Sequence, residues 1–141
     1  MIYNEVHKDL FTVDKEYYLA HCIASDFAMG AGIAVQFQKK FSLRNKLIET
    51  GKENTFPGSC VLIGKVLNLI TKSRSSGKPT YDSLRSSLIK MHRLCISFNI
   101  TKIAMPKIGC GLDRLQWGKV KEILFEIFND TNIEILVCVW K

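Results

Sequence analysis

An aspartate stands directly after a glycine-rich turn in residues 105–117, MPKIGCGLDRLQW. Asp113 could begin the helix predicted after it, since Gln116 follows three residues later, at the spacing of a capping box. A helix cap contributes about 1 kcal/mol and would by itself account for an aspartate at this place. The same carboxylate could also face a crevice and act as a general acid or base. From these residues alone, both roles stay open for Asp113.

A lysine ends the apolar run VLNLIT, residues 66–71, which is typical of a buried strand. Partial loss of hydration at such a strand end would favour the neutral, nucleophilic form of the Lys72 amine. A fully hydrated lysine is the simpler interpretation, and residue spacing alone favours it.

Three glycine-bearing loops follow predicted strands: SDFAMGAGIA at 25–34, TKSRSSGKP at 71–79 and PKIGCGLD at 106–113. Gly30 and Gly32 precede a predicted helix, where free N–H groups and the helix dipole favour a phosphate. A dinucleotide-binding fingerprint would need a third glycine at position 35, which is Val35, so that interpretation is excluded. Two glycine loops at neighbouring strand ends could hold a diphosphate from both sides.

The elements that must position these loops alternate along the chain. Strands are predicted at residues 2–7, 17–24, 59–66, 67–72, 102–106 and 133–140. Helices are predicted at residues 30–41, 80–98 and 115–128, where apolar residues recur at helical spacing. This order predicts an α/β layered fold with a largely parallel sheet, formed by a single domain over residues 1–141. Ligands of such sheets bind beyond the carboxyl ends of the strands, where the three glycine loops fall.

The amino-acid composition limits the kinds of partner that this chain can bind. The chain is 47% hydrophobic and 23% charged, contains no apolar run near the ~20 residues of a membrane helix, and lacks a signal-peptide core at its start. We therefore expect a globular protein inside the cell, without a membrane partner. The net charge of +7 favours an anionic partner such as a phosphate, a nucleotide or nucleic acid, although a hydrated basic surface is equally compatible with it.

The five cysteines form no CxxC pair and are odd in number, which indicates buried free thiols rather than a zinc site or a disulfide framework. His21 lies within the apolar run LAHCI and is predicted to be a core histidine rather than a ligand. The sequence thus predicts neither a metal site nor a cofactor.

Three stretches carry a resemblance to a known family: LAHCIASDFAMGAGIAVQFQKKF at 19–41, LITKSRSSGKPTY at 69–81 and MPKIGCGLDRLQW at 105–117. In this order they closely resemble macrodomains of the terminal ADP-ribose protein glycohydrolase type, and the resemblance spans nearly the whole chain. It implies a three-layer α/β/α macrodomain fold with a central mixed, mostly parallel sheet. It also implies that ADP-ribose binds in the crevice at the sheet edge, with Lys72 and Asp113 as the catalytic pair.

The resemblance further implies which residues line the ADP-ribose site: Asp9, Leu10, Ala24, Ser25, Met29, Gly30, Ala31, Gly32, Ile33, Ala34, Thr71, Pro106, Ile108, Gly109, Cys110, Gly111 and Leu112. Asp9 and Leu10 are the pair expected to contact adenine. The sequence departs from the family pattern at Lys8, where glycine is usual, and at Ala24, where some relatives carry serine. The asparagine motif of other macrodomain hydrolases is absent from the sequence, as in the lysine-dependent branch.

The implied activity is removal of mono-ADP-ribose from glutamate or aspartate esters through a covalent lysyl-ADP-ribose intermediate, with Asp113 moving protons. The implied partners are ADP-ribose and ADP-ribosylated protein. We expect a monomer located in the cytoplasm and, in a eukaryote, also in the nucleus. A module that binds ADP-ribose without cleaving it is the first alternative, and the presence of both Lys72 and Asp113 argues against it. Hydrolysis of O-acetyl-ADP-ribose and release of ADP-ribose from DNA bases, a reaction of the DNA damage response, remain open as well.

Overall fold

The computed structural model describes residues 1–140, in which six strands form one sheet with helices on both faces. The strands are β1 (Ile2–His7), β2 (Tyr18–Ala24), β3 (Ser59–Ile63), β4 (Val66–Lys72), β5 (Lys102–Met105) and β6 (Glu134–Val139). The helices are α1 (Ile33–Phe41), α2 (Leu43–Thr50), α3 (Tyr81–Phe98) and α4 (Trp117–Phe128), and short 3₁₀ turns occupy Leu10–Thr12 and Lys52–Asn54.

The sheet is mixed, with the strand order β1-β6-β5-β2-β4-β3. Neighbouring strands are parallel except for β3, which pairs antiparallel with β4. A two-residue turn, Gly64 and Lys65, joins this hairpin, and Gly64 adopts the positive φ of 57° that such turns require. The predicted mixed, mostly parallel sheet is therefore confirmed.

Two hydrophobic cores separate the sheet from its two helical layers. One core joins α3 and α4 to one face, and the other joins α1 and α2 to the opposite face. Strand β2 contributes to both cores, with Ala20 on one side and Leu19 and Ile23 on the other, as expected for a central strand that is covered on both faces. This arrangement is the three-layer α/β/α fold that the resemblance implied.

Helix α2 was not predicted from sequence. Its buried residues, Leu43 and Leu47, are four positions apart and fully enclosed beside Phe37 of α1. Burying a side chain of this size contributes about 1.5–3 kcal/mol, which outweighs the weak amphipathic pattern of an eight-residue helix. The spacing of the two leucines was the available signal.

The crevice forms because the chain leaves neighbouring strands towards opposite faces. After β2 it continues to α1 on one face, whereas after β4 and β5 it continues to α3 and α4 on the other. Such a divergence opens a crevice beyond the carboxyl ends of the strands. Three loops surround it: the β2 loop (residues 25–32), the β4 loop (residues 73–80) and the β5 loop (residues 106–116). Along residues 1–140, no helix combines the length and the apolar character needed to cross a membrane.

Candidate active site

A lysine and an aspartate meet where the β4 and β5 loops approach each other. Lys72, the last residue of β4, places its Nζ 2.6 Å from Oδ1 of Asp113. Each side chain is 14% exposed, so the pair is largely shielded from water yet reachable from the crevice. At this distance a proton can pass directly between the amine and the carboxylate.

Asp113 does not cap a helix, so the expected capping role was wrong. Helix α4 begins at Trp117 with Gln116 as its N-cap, three residues beyond the aspartate, and within residues 1–140 the Gln116 side chain makes no capping hydrogen bond. The Asp113 carboxylate is turned instead towards Lys72. Its chemistry is therefore separate from the start of the helix.

A left-handed turn in the β5 loop gives Asp113 this direction. Gly109 has a φ of 73°, and a Cβ at this position would lie 3.0 Å from Cδ1 of Leu115. The Leu115 N–H donates to the Gly109 carbonyl at 2.8 Å, and Arg114 also adopts a positive φ of 63°. Glycine accepts this conformation and this close approach without steric cost, which explains why position 109 needs one.

The β2 loop leaves the start of α1 open towards the crevice. Gly32 precedes α1 with a φ of 61°, and no side chain among residues 1–140 caps the first N–H groups of the helix. Phe27 and Met29 hold positive φ values of 55° and 44°, with both side chains buried in the core beneath the loop. Such backbone strain persists where packing fixes a loop, and the uncapped N–H groups favour an anion. The geometry is suited to the phosphate contact predicted for residues 29–34.

The three loops contact one another above the crevice. Leu112 is 64% exposed, and its Cδ1 lies 3.7 Å from the position that a Cβ on Gly32 would take. Lys78 of the β4 loop donates from Nζ to the Leu112 carbonyl at 2.8 Å. The β5 loop is thus held between the other two.

The predicted adenine contacts follow β1 at the same edge of the sheet. Oδ1 of Asp9 accepts the Phe11 N–H at 3.0 Å, and Leu10 is buried in the core with α1. The Phe11 ring packs edge-on against Phe37, with ring centroids 4.9 Å apart. Strands lie ~4.8 Å apart, so the four strand intervals from β1 to β4 place the end of β1 roughly 19 Å from the end of β4, where Lys72 lies. An extended ligand could therefore reach from Asp9 to Lys72.

Five of the predicted contact residues have buried side chains, so they could meet a ligand through their main chain: Leu10, Ala24, Met29, Thr71 and Ile108. Thr71 faces the α3 layer, where its carbonyl accepts the Ser83 hydroxyl at 2.6 Å. The others are partly or fully exposed around the crevice: Asp9, Ser25, Gly30, Ala31, Gly32, Ile33, Ala34, Pro106, Gly109, Cys110, Gly111 and Leu112.

Two thiols near the Lys72–Asp113 pair are poor nucleophiles at neutral pH. Burial raises the pKa of Cys22 to about 12, and the negative charge of Asp113 adds to the shift. Burial also raises the pKa of Cys110 to about 11, against the opposing charge of Lys107. Because the thiolate is the reactive form, neither cysteine is expected to act as a nucleophile at neutral pH. All five cysteines are free, and these two are partly exposed, whereas the other three are buried.

His21 is a core residue, as predicted. Its Nε2 lies 2.7 Å from Oδ1 of Asn68, and its ring stacks on Phe37 with centroids 3.8 Å apart. Burial lowers the pKa of His21 to about 4, so the ring is neutral at physiological pH.

A basic depression adjoins Lys72. Its volume is about 320 Å³, and its lining comes from the end of β4 and the β4 loop: Lys72, Ser73, Arg74, Ser76, Gly77 and Lys78. Arg74 and Lys78 are exposed and form no salt bridge with a carboxylate of the described residues. The depression can therefore attract an anion beside Lys72. Within the same residues, no three His, Cys, Asp or Glu side chains are placed to hold a metal ion.

Sequence reasoning missed Asp26 and Lys78, which join the loops. Oδ2 of Asp26 accepts the Ser75 N–H at 2.8 Å, and Oδ1 accepts the Ala28 N–H at 3.1 Å. An aspartate just after a strand is a common signal for a side chain that bonds the backbone two residues later. For Lys78, between a glycine and a proline, we find no comparable signal in the sequence.

Comparison with known proteins was consistent in sequence and in fold. The Macro domain family model matches residues 12–124. The ADP-ribose glycohydrolase OARD1 of Homo sapiens is 45% identical over 133 residues, which cover 94% of this chain and 88% of that protein. Among solved structures, the macrodomain of Mycobacterium tuberculosis DarG superposes with a TM-score of 0.87 at 21% identity, covering 97% of both chains. Thermosipho africanus DarTG in complex with ADP-ribose gives a TM-score of 0.82 at 17% identity, over 98% of this chain and 41% of that one.

Proposed function

This chain belongs to the macrodomain family, and we propose that it is a hydrolase that releases ADP-ribose from ester-linked glutamate or aspartate through a covalent lysyl intermediate. The general part of the proposal is hydrolysis of ADP-ribose linkages. It is supported by the human ADP-ribose glycohydrolase OARD1, which is 45% identical to this chain over the aligned residues. The finer part depends on the Lys72–Asp113 pair.

The observation that carries the proposal is the 2.6 Å contact between Lys72 Nζ and Asp113 Oδ1 at the carboxyl ends of β4 and β5. A lysine that attacks carbon must first lose a proton, and Asp113 is placed to accept it. The neighbouring thiols are protonated at neutral pH, since burial raises the pKa of Cys22 to about 12 and that of Cys110 to about 11. Neither thiol therefore offers a reactive thiolate, whereas the Lys72 amine has a proton acceptor, Asp113, in direct contact with it.

The reaction would proceed in two steps. In the first, the Lys72 ammonium passes a proton to Asp113, and the neutral amine attacks the anomeric carbon of the distal ribose while the bond to the target carboxylate breaks. The carboxylate leaves with the bonding electrons, and ADP-ribose becomes attached to Lys72. In the second step, water adds to the same carbon as the carbon–nitrogen bond breaks, and Asp113 returns its proton to the lysine nitrogen. The Asp113 carboxylate regenerated in this way takes up the proton that water loses and passes it to solvent. Splitting a difficult substitution in this way is the usual benefit of covalent catalysis.

The remaining loops would hold the ligand in place. The uncapped start of α1 after Gly32 suits the diphosphate, and Gly111 on the opposite loop has space around it. Leu112 would cover the bound diphosphate, since its side chain already approaches Gly32. The adenine would lie towards Asp9, on the far side of α1.

The decisive experiment compares Lys72→Ala with the wild type on a peptide that carries ADP-ribose on glutamate. We expect release of ADP-ribose to fall to background, while free ADP-ribose still binds, because the phosphate and adenine contacts are unchanged. Lys107→Ala is the matched control, since Lys107 is an exposed lysine on the β5 loop whose loss should leave turnover intact. Turnover near the wild-type rate in Lys72→Ala would rule out the lysyl intermediate.

The basic depression beside Lys72 favours a second candidate, in which the acceptor is a nucleic-acid base. Phosphates flanking a modified nucleotide could contact Arg74 and Lys78, and the net charge of +7 would assist. Modified protein, modified DNA and O-acetyl-ADP-ribose should be assayed side by side. If DNA is the substrate, Arg74→Gln should weaken its binding at every sequence and lower the slope of log affinity against log salt by about 0.7–0.9. An unchanged slope would exclude Arg74 as a phosphate contact.

A further inference from the structure

The β4 loop, which follows Lys72, is attached to the β2 loop by two consecutive residues. The Ser25 N–H donates to the Lys72 carbonyl at 2.9 Å, and this contact fixes the main chain of the lysine itself. Three residues later, the Ser75 N–H donates to Oδ2 of Asp26 at 2.8 Å. The main chain on the carboxyl side of Lys72 therefore depends on the Asp26 carboxylate.

Asp26 is itself held in one orientation. Its other oxygen, Oδ1, accepts the Ala28 N–H at 3.1 Å, so the carboxylate bridges the backbones of two loops. Desolvation acts to raise the pKa of Asp26, but the N–H groups of Ser75 and Ala28, helped by the charge of Lys72, lower it below its ordinary value. The carboxylate is therefore ionised at neutral pH. The two hydrogen bonds that it accepts are charge-assisted and thus stronger than hydrogen bonds between neutral groups.

We propose that Asp26 is a positioning residue, whose bridge between the β2 and β4 loops keeps Lys72 Nζ beside Asp113 for attack on the anomeric carbon. The inference rests on the proposed function for its catalytic consequence. Without the bridge, the segment after Lys72 would keep the Ser25 contact at the Lys72 carbonyl and an internal turn, in which the Gly77 N–H donates to the Arg74 carbonyl at 2.9 Å, but would lose its attachment to the β2 loop at Ser75. The lysine would then sample positions away from Asp113.

Replacing a positioning residue lowers the rate of the chemical step, whereas replacing a structural residue lowers the stability of the fold. Asp26 is exposed, so its loss removes two hydrogen bonds at the surface rather than part of the core. The diphosphate and adenine contacts proposed above do not involve its side chain. A misplacement of about 1 Å at a reacting group can cost about 100-fold in rate. We therefore expect the chemical step to suffer while ligand affinity persists.

The test uses the full chain with Asp26→Ala, Asp26→Asn and Thr131→Ala. Asparagine keeps one acceptor oxygen and alanine keeps none. Thr131 is the matched control, because its Oγ1 also accepts a backbone N–H, from Ile133 at 3.2 Å. Thr131 precedes β6 and so lies at the amino ends of the parallel strands, away from the crevice. Three quantities are measured: the single-turnover rate on a glutamate-modified peptide, the calorimetric Kd for ADP-ribose, and the rate at which an amine-reactive reagent labels Lys72, normalised to the exposed Lys39.

For Asp26→Ala we expect a single-turnover rate about 10-fold lower or more, with a Kd within about twofold of the wild type. Asp26→Asn should fall between alanine and the wild type, and Thr131→Ala should match the wild type. Lys72, 14% exposed in the native structure, should be labelled faster in Asp26→Ala because the freed loop uncovers it.

Wild-type turnover and labelling in Asp26→Ala would overturn the inference. Equal losses of rate and affinity, together with a lower melting temperature, would also overturn it, because they would indicate a structural role. The labelling of Lys72 separates this inference from the proposed function. Faster labelling in Asp26→Ala would support the positioning role even if the wild type released no ADP-ribose, whereas that inactivity would refute the proposed function alone.

Discussion

The substitution Asp113→Asn can test the role of this carboxylate in proton transfer without disturbing the fold. An N-cap role would have obscured the result of Asp113→Ala, because losing a cap costs about 1 kcal/mol. Helix α4 begins at Trp117 with Gln116 as its N-cap, so neither substitution should alter the start of the helix. What asparagine removes is the negative charge and the proton acceptor facing Lys72.

The expected loss of stability is small. Asparagine can keep its oxygen near Lys72 Nζ, where the native oxygen lies at 2.6 Å, so a hydrogen bond to a charged donor survives. The ion pair itself is 14% exposed on each side, which places its contribution between that of a surface pair and that of a buried pair. We expect a loss of about 1 kcal/mol, or about 4 °C in melting temperature for a domain of this size.

The expected loss of activity is much larger. General acid–base catalysis contributes about 100-fold or more, equivalent to about 2.7 kcal/mol of barrier. Without a group to return the proton, the lysyl adduct should also break down slowly, and mass spectrometry should detect enzyme carrying ADP-ribose on Lys72. Calorimetry should find that free ADP-ribose still binds.

Asp130→Asn provides the control, because it neutralises an exposed carboxylate that precedes β6 and so lies at the amino ends of the strands, away from the crevice. Its turnover and melting temperature should match those of the wild type. If a well-folded Asp113→Asn variant turned over at a near-normal rate, the acid–base role of the carboxylate would be refuted.

Three further outcomes are expected. Free ADP-ribose at ten to a hundred times its Kd should add about 1.4–2.7 kcal/mol of apparent stability in a thermal shift, and no shift at millimolar ligand would argue against the proposed site. Because burial lowers the pKa of His21 from 6.5 to about 4, its contribution to stability is present above pH 6.5 and declines as the pH falls towards 4. Urea unfolding should register a loss of about 2 kcal/mol between pH 7 and pH 5 that His21→Gln removes, and an equal loss in the variant would contradict this assignment. Gly109→Ala should destabilise the chain by about 1–2 kcal/mol, because a Cβ there adopts a left-handed φ of 73° and meets Leu115 at 3.0 Å. Gly111→Ala, with open space at its Cβ, is the paired control, and equal unfolding free energies for the two variants would refute the steric reasoning.

The parts of the fold predicted from sequence are those in which the pattern of apolar residues is strong. The alternation in residues 2–7 gave the bounds of β1, and the apolar run before Lys72 gave the strand predicted at residues 67–72. Val66, which was predicted to end the preceding strand, is instead the first residue of β4, because the hairpin turn lies at Gly64 and Lys65. The helix predicted at residues 80–98 is α3, which runs from Tyr81 to Phe98 with Thr80 as its N-cap and Ser83 completing the reciprocal pair of hydrogen bonds. These features depend on neighbours in the sequence, so they are visible without the tertiary structure.

The features that sequence reasoning missed depend on contacts between distant residues. The direction of the Asp113 carboxylate follows from the turn at Gly109 and from the position of Lys72, which is 41 residues away in sequence. The Asp26–Ser75 bridge spans 49 residues. Local rules proposed a cap for Asp113 because its spacing to Gln116 is correct, yet the ion pair with Lys72 determined its orientation.

The ion pair also sets a condition on how the site can work. An ammonium held by a carboxylate cannot attack carbon, so the resting pair must transfer its proton internally before reaction. Both side chains are already 14% exposed, and a ligand lying over them would exclude the remaining water. A ligand bound over the pair would therefore confine the proton to exchange between Lys72 and Asp113, which are already in direct contact at 2.6 Å.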